Sequence, residues 1–353
     1  AHDDRKLVKI GDFAINSRSD RRGSCGISGY EGSVSLINTV LYPIADMNPQ
    51  YYNWLFHTTE FADEFYRWGH GIVDDLWTTG WQDMKNIVII QPSIEEQQRI
   101  AVFLDTQCTE IDALVSDIQA QIDTLEQYKR SIITEAVTKG LNPDVEMKDS
   151  GIAWANSVPA HWTSSKTKYE VFPLQRLVHS SDLVMTCFRD GEVTLRQNRR
   201  EDGFTISLTE NGYQGVEVGD LVIHGMDAFA GAIGCSDSRG KITPVVHVCK
   251  TTGNNRFFMY ALRSMAANDV LMSFAEGIRV RSSDFRNFNK LGKFPIVVPP
   301  INEQNEIVAF LDRKCREVVT IVLQKQQQLD VLVEYKKSLI FEYVSGKKEV
   351  TIT

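Results

Sequence analysis

The chain has 353 residues, 42% of them hydrophobic, and a formal net charge of −8. That is enough apolar material for two globular cores, while no apolar run approaches the ~18 residues of a membrane-spanning helix. The six cysteines, at 25, 108, 187, 235, 249 and 315, form no CxxC pair; with no signal-peptide pattern, they point to reduced thiols in a cytoplasmic protein.

Residues 1–92 read as a mostly β segment with one helix. Leu7–Ile15 (LVKIGDFAI) alternates as a strand does, and Gly23, Gly26, Gly29 and Gly32 then punctuate short strands and turns. Tyr51–Trp68 carries its aromatics at helical spacing, which assigns them to a core rather than to a base-stacking surface. Asn86–Ile90 (NIVII) is a short strand leading into PSIEEQQRIAVFLD, Pro92–Asp105. There a proline precedes the helical pattern, and Glu95 and Glu96 occupy a first turn whose partial positive charge favours them. Apolar positions follow at heptad spacing, with Ile111, Ile118, Leu125 and Ile132 on one row and Leu114 and Tyr128 on the other. From Gln98 to Val137 this helix would run roughly 60 Å, too long to bury its stripe alone. Between Glu95 and Asp149 there are twelve acidic and five basic residues. The net acidity is therefore concentrated on the helical part, leaving local basic clusters elsewhere.

Residues 141–162 (LNPDVEMKDSGIAWANSVPAHW) are rich in turn formers and read as a linker. A second mixed β segment occupies 163–293. A second long helix fills 294–353, opening at PPINEQNEIVAFLD, Pro299–Asp312. Its rows are Val318, Leu332 and Leu339 on one side and Ile321 and Tyr335 on the other, with Lys325 and Gln328 interrupting the seam.

The two helices are one stretch written twice. Pro92, Glu96, Gln97, Ile100, Phe103, Leu104 and Asp105 recur 207 residues later as Pro299, Glu303, Gln304, Ile307, Phe310, Leu311 and Asp312. The offset holds without a gap to Val137/Val344, so a structural unit has been duplicated. The globular segments repeat more faintly: Gly11-Asp12, Ile15, Gly23 and Gly26 match Gly219-Asp220, Ile223, Gly231 and Gly234 at an offset of 208. Trp162 lies 57 positions before Gly219, whereas ten residues precede Gly11; the first globule is thus expected to lack about 47 residues at its start. The expected fold is α/β (α+β): two globules and two long helices paired as an antiparallel intramolecular coiled coil with pseudo-twofold repetition.

The doubled helix start, the YKRSIITEAVTKGL ending of the first helix and the segment MKDSGIAWANSVPAHW resemble the specificity subunit of type I restriction–modification systems. The resemblance spans essentially the whole chain. It implies that the globules are target recognition domains, each reading half of a bipartite site in double-stranded DNA. It implies that the paired helices separate them and dock two adenine-methyltransferase subunits, onto which restriction (translocase) subunits assemble. It also implies a chain that catalyses nothing, with S-adenosylmethionine, ATP and Mg on partner subunits only.

Polarity and loop position give the candidate DNA contacts. In the first globule they are Asn16, Ser17, Arg18, Arg21 and Arg22, after a strand and before a glycine turn. In the second they are the compact loop Arg196, Gln197, Asn198, Arg199 and Arg200, then Arg279, Arg281 and Arg286, and His224, which holds the place of Asn16. A solvated surface arginine is the bland alternative for each. Tyr128-Lys129 and Tyr335-Lys336 recur although a purely intramolecular coil does not require the same polar residue twice, which makes them candidate partner contacts. No phosphate-binding glycine motif, amino-methyltransferase Asn/Asp-Pro-Pro-aromatic or metal-ligand spacing is present. Pro143-Asp144 and Glu146-Met147-Lys148 mimic nuclease elements, but they are adjacent within a turn-rich stretch and cannot build one rigid site. The competing reading is a coiled-coil adaptor whose globules bind protein.

Overall fold

A computed structural model describes residues 5–18, 21–71, 77–199, 211–272 and 285–351. It divides into two compact units, one of residues 1–122 and 323–353, the other of residues 123–322. Among the described residues no helix is long and apolar enough to cross a membrane.

The first unit contains β1 (Arg5–Val8), β2 (Phe13–Asn16), β3 (Cys25–Ile27), β4 (Gly32–Ser35), β5 (Asn38–Leu41), α1 (Pro49–Phe56), α2 (Thr59–Arg67), α3 (Trp81–Met84) and the start of α4 (Ile94–Lys139). β2 is the centre of a three-stranded antiparallel sheet in the order β3-β2-β5, and β1 pairs with β4. Leu7–Ile15, expected as a single strand, is two. Gly11 at φ +89° turns the chain, its N–H donating to Ser28 O (2.9 Å), while the Asp12 carboxylate accepts the Lys9 N–H (2.8 Å). Tyr51–Trp68 is likewise two helices: Thr58 leaves the first and caps the second, accepting the Phe61 N–H. Its aromatics form the core, with Tyr51, Tyr52, Phe61 and Phe65 buried and Phe13 edge-on to Phe56 at 4.9 Å.

Asn86–Ile90 is not a strand. Asn86 lies in a turn and Val88 is 94% exposed. Its counterpart in the second unit is a strand because another strand pairs with it, and among the described residues of the first unit no strand does so.

The second unit continues with β6 (Met147–Asp149), β7 (Ser157–Pro159), β8 (Thr163–Lys166), α5 (Thr167–Glu170), β9 (Val171–Pro173), β10 (Met185–Cys187), β11 (Val193–Leu195), β12 (Gln214–Val216), β13 (Leu221–His224), β14 (Ile233–Cys235), β15 (Gly240–Ile242), β16 (Val246–Thr251), α6 (Asn255–Ala267), α7 (Phe288–Leu291), β17 (Pro295–Val298) and the start of α8 (Ile301–Val344). Its main sheet, β14-β13-β16-β9, is antiparallel. α6 covers it with Phe257, Phe258, Leu262 and Met265, all fully buried. β13 repeats β2, down to Gly219 at φ +86° and an Asp220 carboxylate that accepts the Glu217 N–H (2.8 Å). The stretch 141–162 is no loose linker. It forms the β6–β7 hairpin and sends Ile152, Ala155, Val158 and Trp162 into the core of this unit.

The helices pair antiparallel within each unit. In the first, Phe103 meets Tyr343 with ring centroids 4.4 Å apart, Asp112 takes Lys336 at 2.6 Å, and Gln121 accepts from Lys325, so one index rises as the other falls. The inward positions step by four and three: Leu104, Cys108, Ile111, Val115, Ile118 and Ile122, with Leu329, Leu332, Lys336, Leu339 and Tyr343 on α8, all buried or half-buried. The second unit continues the pattern with Leu125, Lys129, Ile132 and Ala136 on α4, and Leu311, Cys315, Val318 and Val322 on α8. Of the expected rows, Ile111–Ile132 and Val318–Leu339 are inward. Leu114, Tyr128, Ile321 and Tyr335 are not, at 52, 48, 40 and 53% exposed. The second row sits four residues after the first, at Val115, not three after, at Leu114. Lys325 does interrupt the seam, whereas Gln328 lies on the exposed side.

Each helix start is bolted to its globule by the same two side chains. Buried Gln97 accepts the Asn48 N–H (2.8 Å) and donates to Pro92 O (2.9 Å); Gln304 accepts the Asn254 N–H (2.9 Å) and donates to Pro299 O (2.9 Å). Asp105 accepts from Trp54 Nε1 (2.8 Å) and Gln50, and Asp312 from the Tyr260 hydroxyl (2.8 Å) and Arg256. Replacing Gln304 by Leu strands a buried N–H and a buried carbonyl, so the expected loss is about 1–3 kcal/mol. Gln97→Leu should cost a similar amount, and urea unfolding of each variant against the parent measures both.

Candidate nucleic-acid interface

The central strand of each sheet ends in a loop closed by a left-handed glycine, Gly23 at φ +71° and Gly231 at φ +92°. The residue ending the strand organises that loop. In the first unit Asn16 Oδ1 accepts the Arg18 N–H (3.0 Å), the Ser17 hydroxyl bonds Thr39 (3.0 Å), and Arg18 bridges to Thr78. These three are half-buried, whereas Arg21 and Arg22 are exposed. Arg22 is paired with Asp63 and lies over the Tyr66 ring at 6.0 Å. The loop therefore presents two arginines on a frame set by Asn16 and Ser17.

In the second unit His224 does the work of Asn16. Its Nδ1 accepts the N–H groups of Met226 (3.3 Å) and Asp227 (3.1 Å), which fixes the proton on Nε2. Burial lowers its pKa, against the opposing pull of Asp227. Two further segments meet this loop. Arg189 pairs with Asp227 at 2.9 Å. The Phe285 N–H donates to Gly225 O (2.7 Å), and any Cβ on Gly225 would fall 3.1 Å from the Arg286 backbone, so the exposed Arg286 stands beside the loop.

The cluster at 196–199 is a single helical turn after β11. Asn198 donates to Thr194 (2.8 Å) and Arg196 to Thr186 (3.4 Å), while Gln197 and Asn198 are exposed. Arg199 is held between Asp190 (2.7 Å) and Glu192 (2.8 Å) and lies over the Phe188 ring at 4.2 Å. Two carboxylates offset its charge, which makes it a rigid, oriented guanidinium rather than a free phosphate ligand. Arg200, Arg279 and Arg281 lie outside the described residues. Arg189 was not singled out from the sequence: it stands alone before a turn pair, Asp190-Gly191, outside any basic run.

The candidate partner residues separate into two kinds. Tyr128 and Tyr335 are exposed, and two heptads before them stand the exposed Leu114 and Ile321. Lys129 and Lys336 turn inward, Lys336 onto Asp112 and Lys129 to 3.8 Å from Glu126. Each helix thus exposes a tyrosine at the same position of the repeat.

All six cysteines are free. Burial pushes Cys25 up to about 11 and Cys187 and Cys235 up to about 12, so none of these three is a thiolate near neutral pH. Among the described residues no group of three or more His, Cys, Asp or Glu could hold a metal ion. What the loops offer is hydrogen-bond donors and positive charge.

No protein-family model matches the sequence, and no curated protein matches it. Solved structures do. A chain from a structure described as the structural basis of complex assembly and conformational transition of the type I R-M system is 13% identical, with a TM-score of 0.70 over 96% of this chain and 83% of that one. The HsdS subunit from Thermoanaerobacter tengcongensis is 14% identical, with a TM-score of 0.50 over 97% of this chain and 83% of that one. At these identities the likeness establishes the fold, two long helices joined to mixed α/β globules as in type I specificity subunits.

The His224 loop is pH-sensitive. Because the folded-state pKa lies below that of the unfolded chain, about 6.5, the loop's stability is fully present above that value and is lost as pH falls through the depressed one. Amide exchange at Met226 and Asp227, corrected for intrinsic rates, should accelerate on going from pH 8 to 5. In His224→Asn, which supplies a non-titrating acceptor, that acceleration should vanish.

Proposed function

We propose that this chain, which has the fold of type I restriction–modification specificity subunits, is the DNA-reading subunit of such a system and works in a prokaryotic cytoplasmic complex. SRSDRRG follows β2 where GMDAFAG follows β13, while Gly11/Gly219, Asp12/Asp220 and Gln97/Gln304 keep the same bonds and Asp105/Asp312 stay acceptors for different donors. A repeated frame with divergent polar loops suits a protein that reads two different half-sites. Arg18, Arg21 and Arg22 on the Asn16–Ser17 frame serve one, and Arg196–Arg200, the His224 loop, Arg279, Arg281 and Arg286 the other. Side chains on base edges carry the specificity, and arginines on phosphates the affinity and register.

The same repetition on the helices suits two identical protein partners. Tyr128 and Tyr335, both exposed, give each helix an equivalent aromatic contact, and two adenine-methyltransferase subunits are the occupants this reading assigns them, restriction subunits joining through these. Lys129 and Lys336, next to those tyrosines in sequence, turn inward, Lys336 onto Asp112. The chain contributes recognition and no turnover; S-adenosylmethionine, ATP and Mg belong to the partners.

The test is duplex binding by the chain assembled with its methyltransferase, over a salt series, on a site identified by sequencing methylated bases in the host. Affinity should fall linearly with log salt concentration, and scrambling either half-site should abolish selectivity. Arg21→Ala should cost about 1–3 kcal/mol on one half-site if it meets guanine, or weaken all duplexes alike with a shallower salt slope if it meets phosphate. Sequence-indifferent binding would contradict the reading. For the helix faces, Tyr128→Ala and Tyr335→Ala should each weaken one methyltransferase copy in a stoichiometry measurement, and the double variant should weaken both.

A further inference from the structure

In the second unit a cavity of about 670 Å³ opens between α4 and the globule. Its walls include Gln127, Arg130 and Ile133 of α4, Phe229 and Ala230 of the His224 loop, and Arg263 of α6. Arg263 is half-buried, and its hydrogen bonds go to the main-chain carbonyls of Gly231 (3.1 Å) and Ile233 (3.3 Å). Burial lowers its pKa, and the nearest compensation is the charge of Asp190. The approach is built in: a Cβ on Gly191, already at φ +90°, would land 1.2 Å from Arg263 Nη1, so only glycine lets the guanidinium pass under that turn. A half-buried cation hydrogen-bonded to carbonyls favours an added anion. The exposed Arg130 adds positive charge to the lining, where Lys129 lies 3.8 Å from Glu126, Arg189 is paired with Asp227, and Asp123 is also present.

The composition selects among anions. Ile133, Phe229, Ala266 and Ala267 supply apolar surface, which suits a single carboxylate on an apolar body. A nucleic-acid backbone would bring several phosphates against Asp123 and Glu126 and leave that apolar surface uncovered. We propose that the cavity is a socket for an acidic, apolar-flanked segment of the protein partner, with Arg263 taking its carboxylate. This rests on the reading that the helix faces dock methyltransferase subunits, since Gln127 and Arg130 flank Tyr128 and Lys129. It adds an asymmetry to that reading. Aligned on the equivalent Asn48 and Asn254, 206 apart, His57 stands for Arg263, and at the offset of 208 Arg21-Arg22 stand for Phe229-Ala230, so the first unit lacks the socket's anchor and its aromatic wall. The two partner copies are held by the same helix chemistry, but one is held additionally.

The experiment is titration of the methyltransferase subunit into the full chain, followed by native mass spectrometry and calorimetry. The parent should bind two copies with unequal affinity. Arg263→Met, which keeps length and loses charge, should weaken the tighter copy about tenfold or more and leave the other unchanged. Arg130→Glu, an exposed change that spares the core, should do the same. Two copies bound as in the parent by both variants overturns the socket while leaving the function reading intact. A parent that recruits no copy overturns the function reading and the socket's occupant with it. Unchanged assembly with weakened, salt-sensitive DNA binding in both variants overturns the proposal by assigning the anion to phosphate.

Discussion

Two helices of 46 and 44 residues cannot each bury an apolar stripe in water, and the rest of the chain is arranged around letting them bury each other. The seam is not uniformly apolar. Lys336 reaches Asp112, and Lys325 reaches Gln121. A slip of one heptad would set Lys325 against Tyr128 or Leu114 in place of Gln121. The exposed ion pair adds little stability.

That alignment is transmitted to the globules through the helix starts. Asp105 and Asp312 occupy the same helical position and accept from the same face of the globular helix, but the donors are Trp54 and Gln50 in one unit and Tyr260 and Arg256 in the other. The acceptor is fixed while the donors have drifted, as expected when geometry rather than a particular side chain is required. The same economy marks the loops. Gly11 and Gly219 adopt one left-handed turn, and Asn16 and His224 cap one loop with different acceptors. The frame is held by backbone and a few short side chains, and Arg21 and Gln197 stand exposed beside it.

Much of this was legible in the sequence. The repeat at 207 residues, the helix starts and one seam row followed from spacing alone. The second row did not, because Leu114 and Val115 are both apolar, and only packing against the other helix decides between positions three and four apart. Nor did the fate of Asn86–Ile90: its composition matches its strand counterpart, but a strand exists through a partner that local sequence does not encode. The division of Tyr51–Trp68 was visible in principle, since Thr58 precedes an acidic first turn. In the candidate interface the residue types were readable but not their partners. Arg22 and Arg199 looked free and are paired with carboxylates, and the half-buried Arg263 gave no local sign.

The claim on which the rest stands is that the helices pair antiparallel within one chain. In a background with the native cysteines replaced, cysteines at Gln121 and Lys325 should be bridged by a short bis-maleimide into a cross-link that leaves the chain monomeric on a denaturing gel. Peptide mapping should find the two sites joined, and a control pair at Gln121 and Ser338, about 20 Å farther along α8, should give no intrachain product. Dimeric products from the first pair, or an intrachain link from the control, would contradict the account.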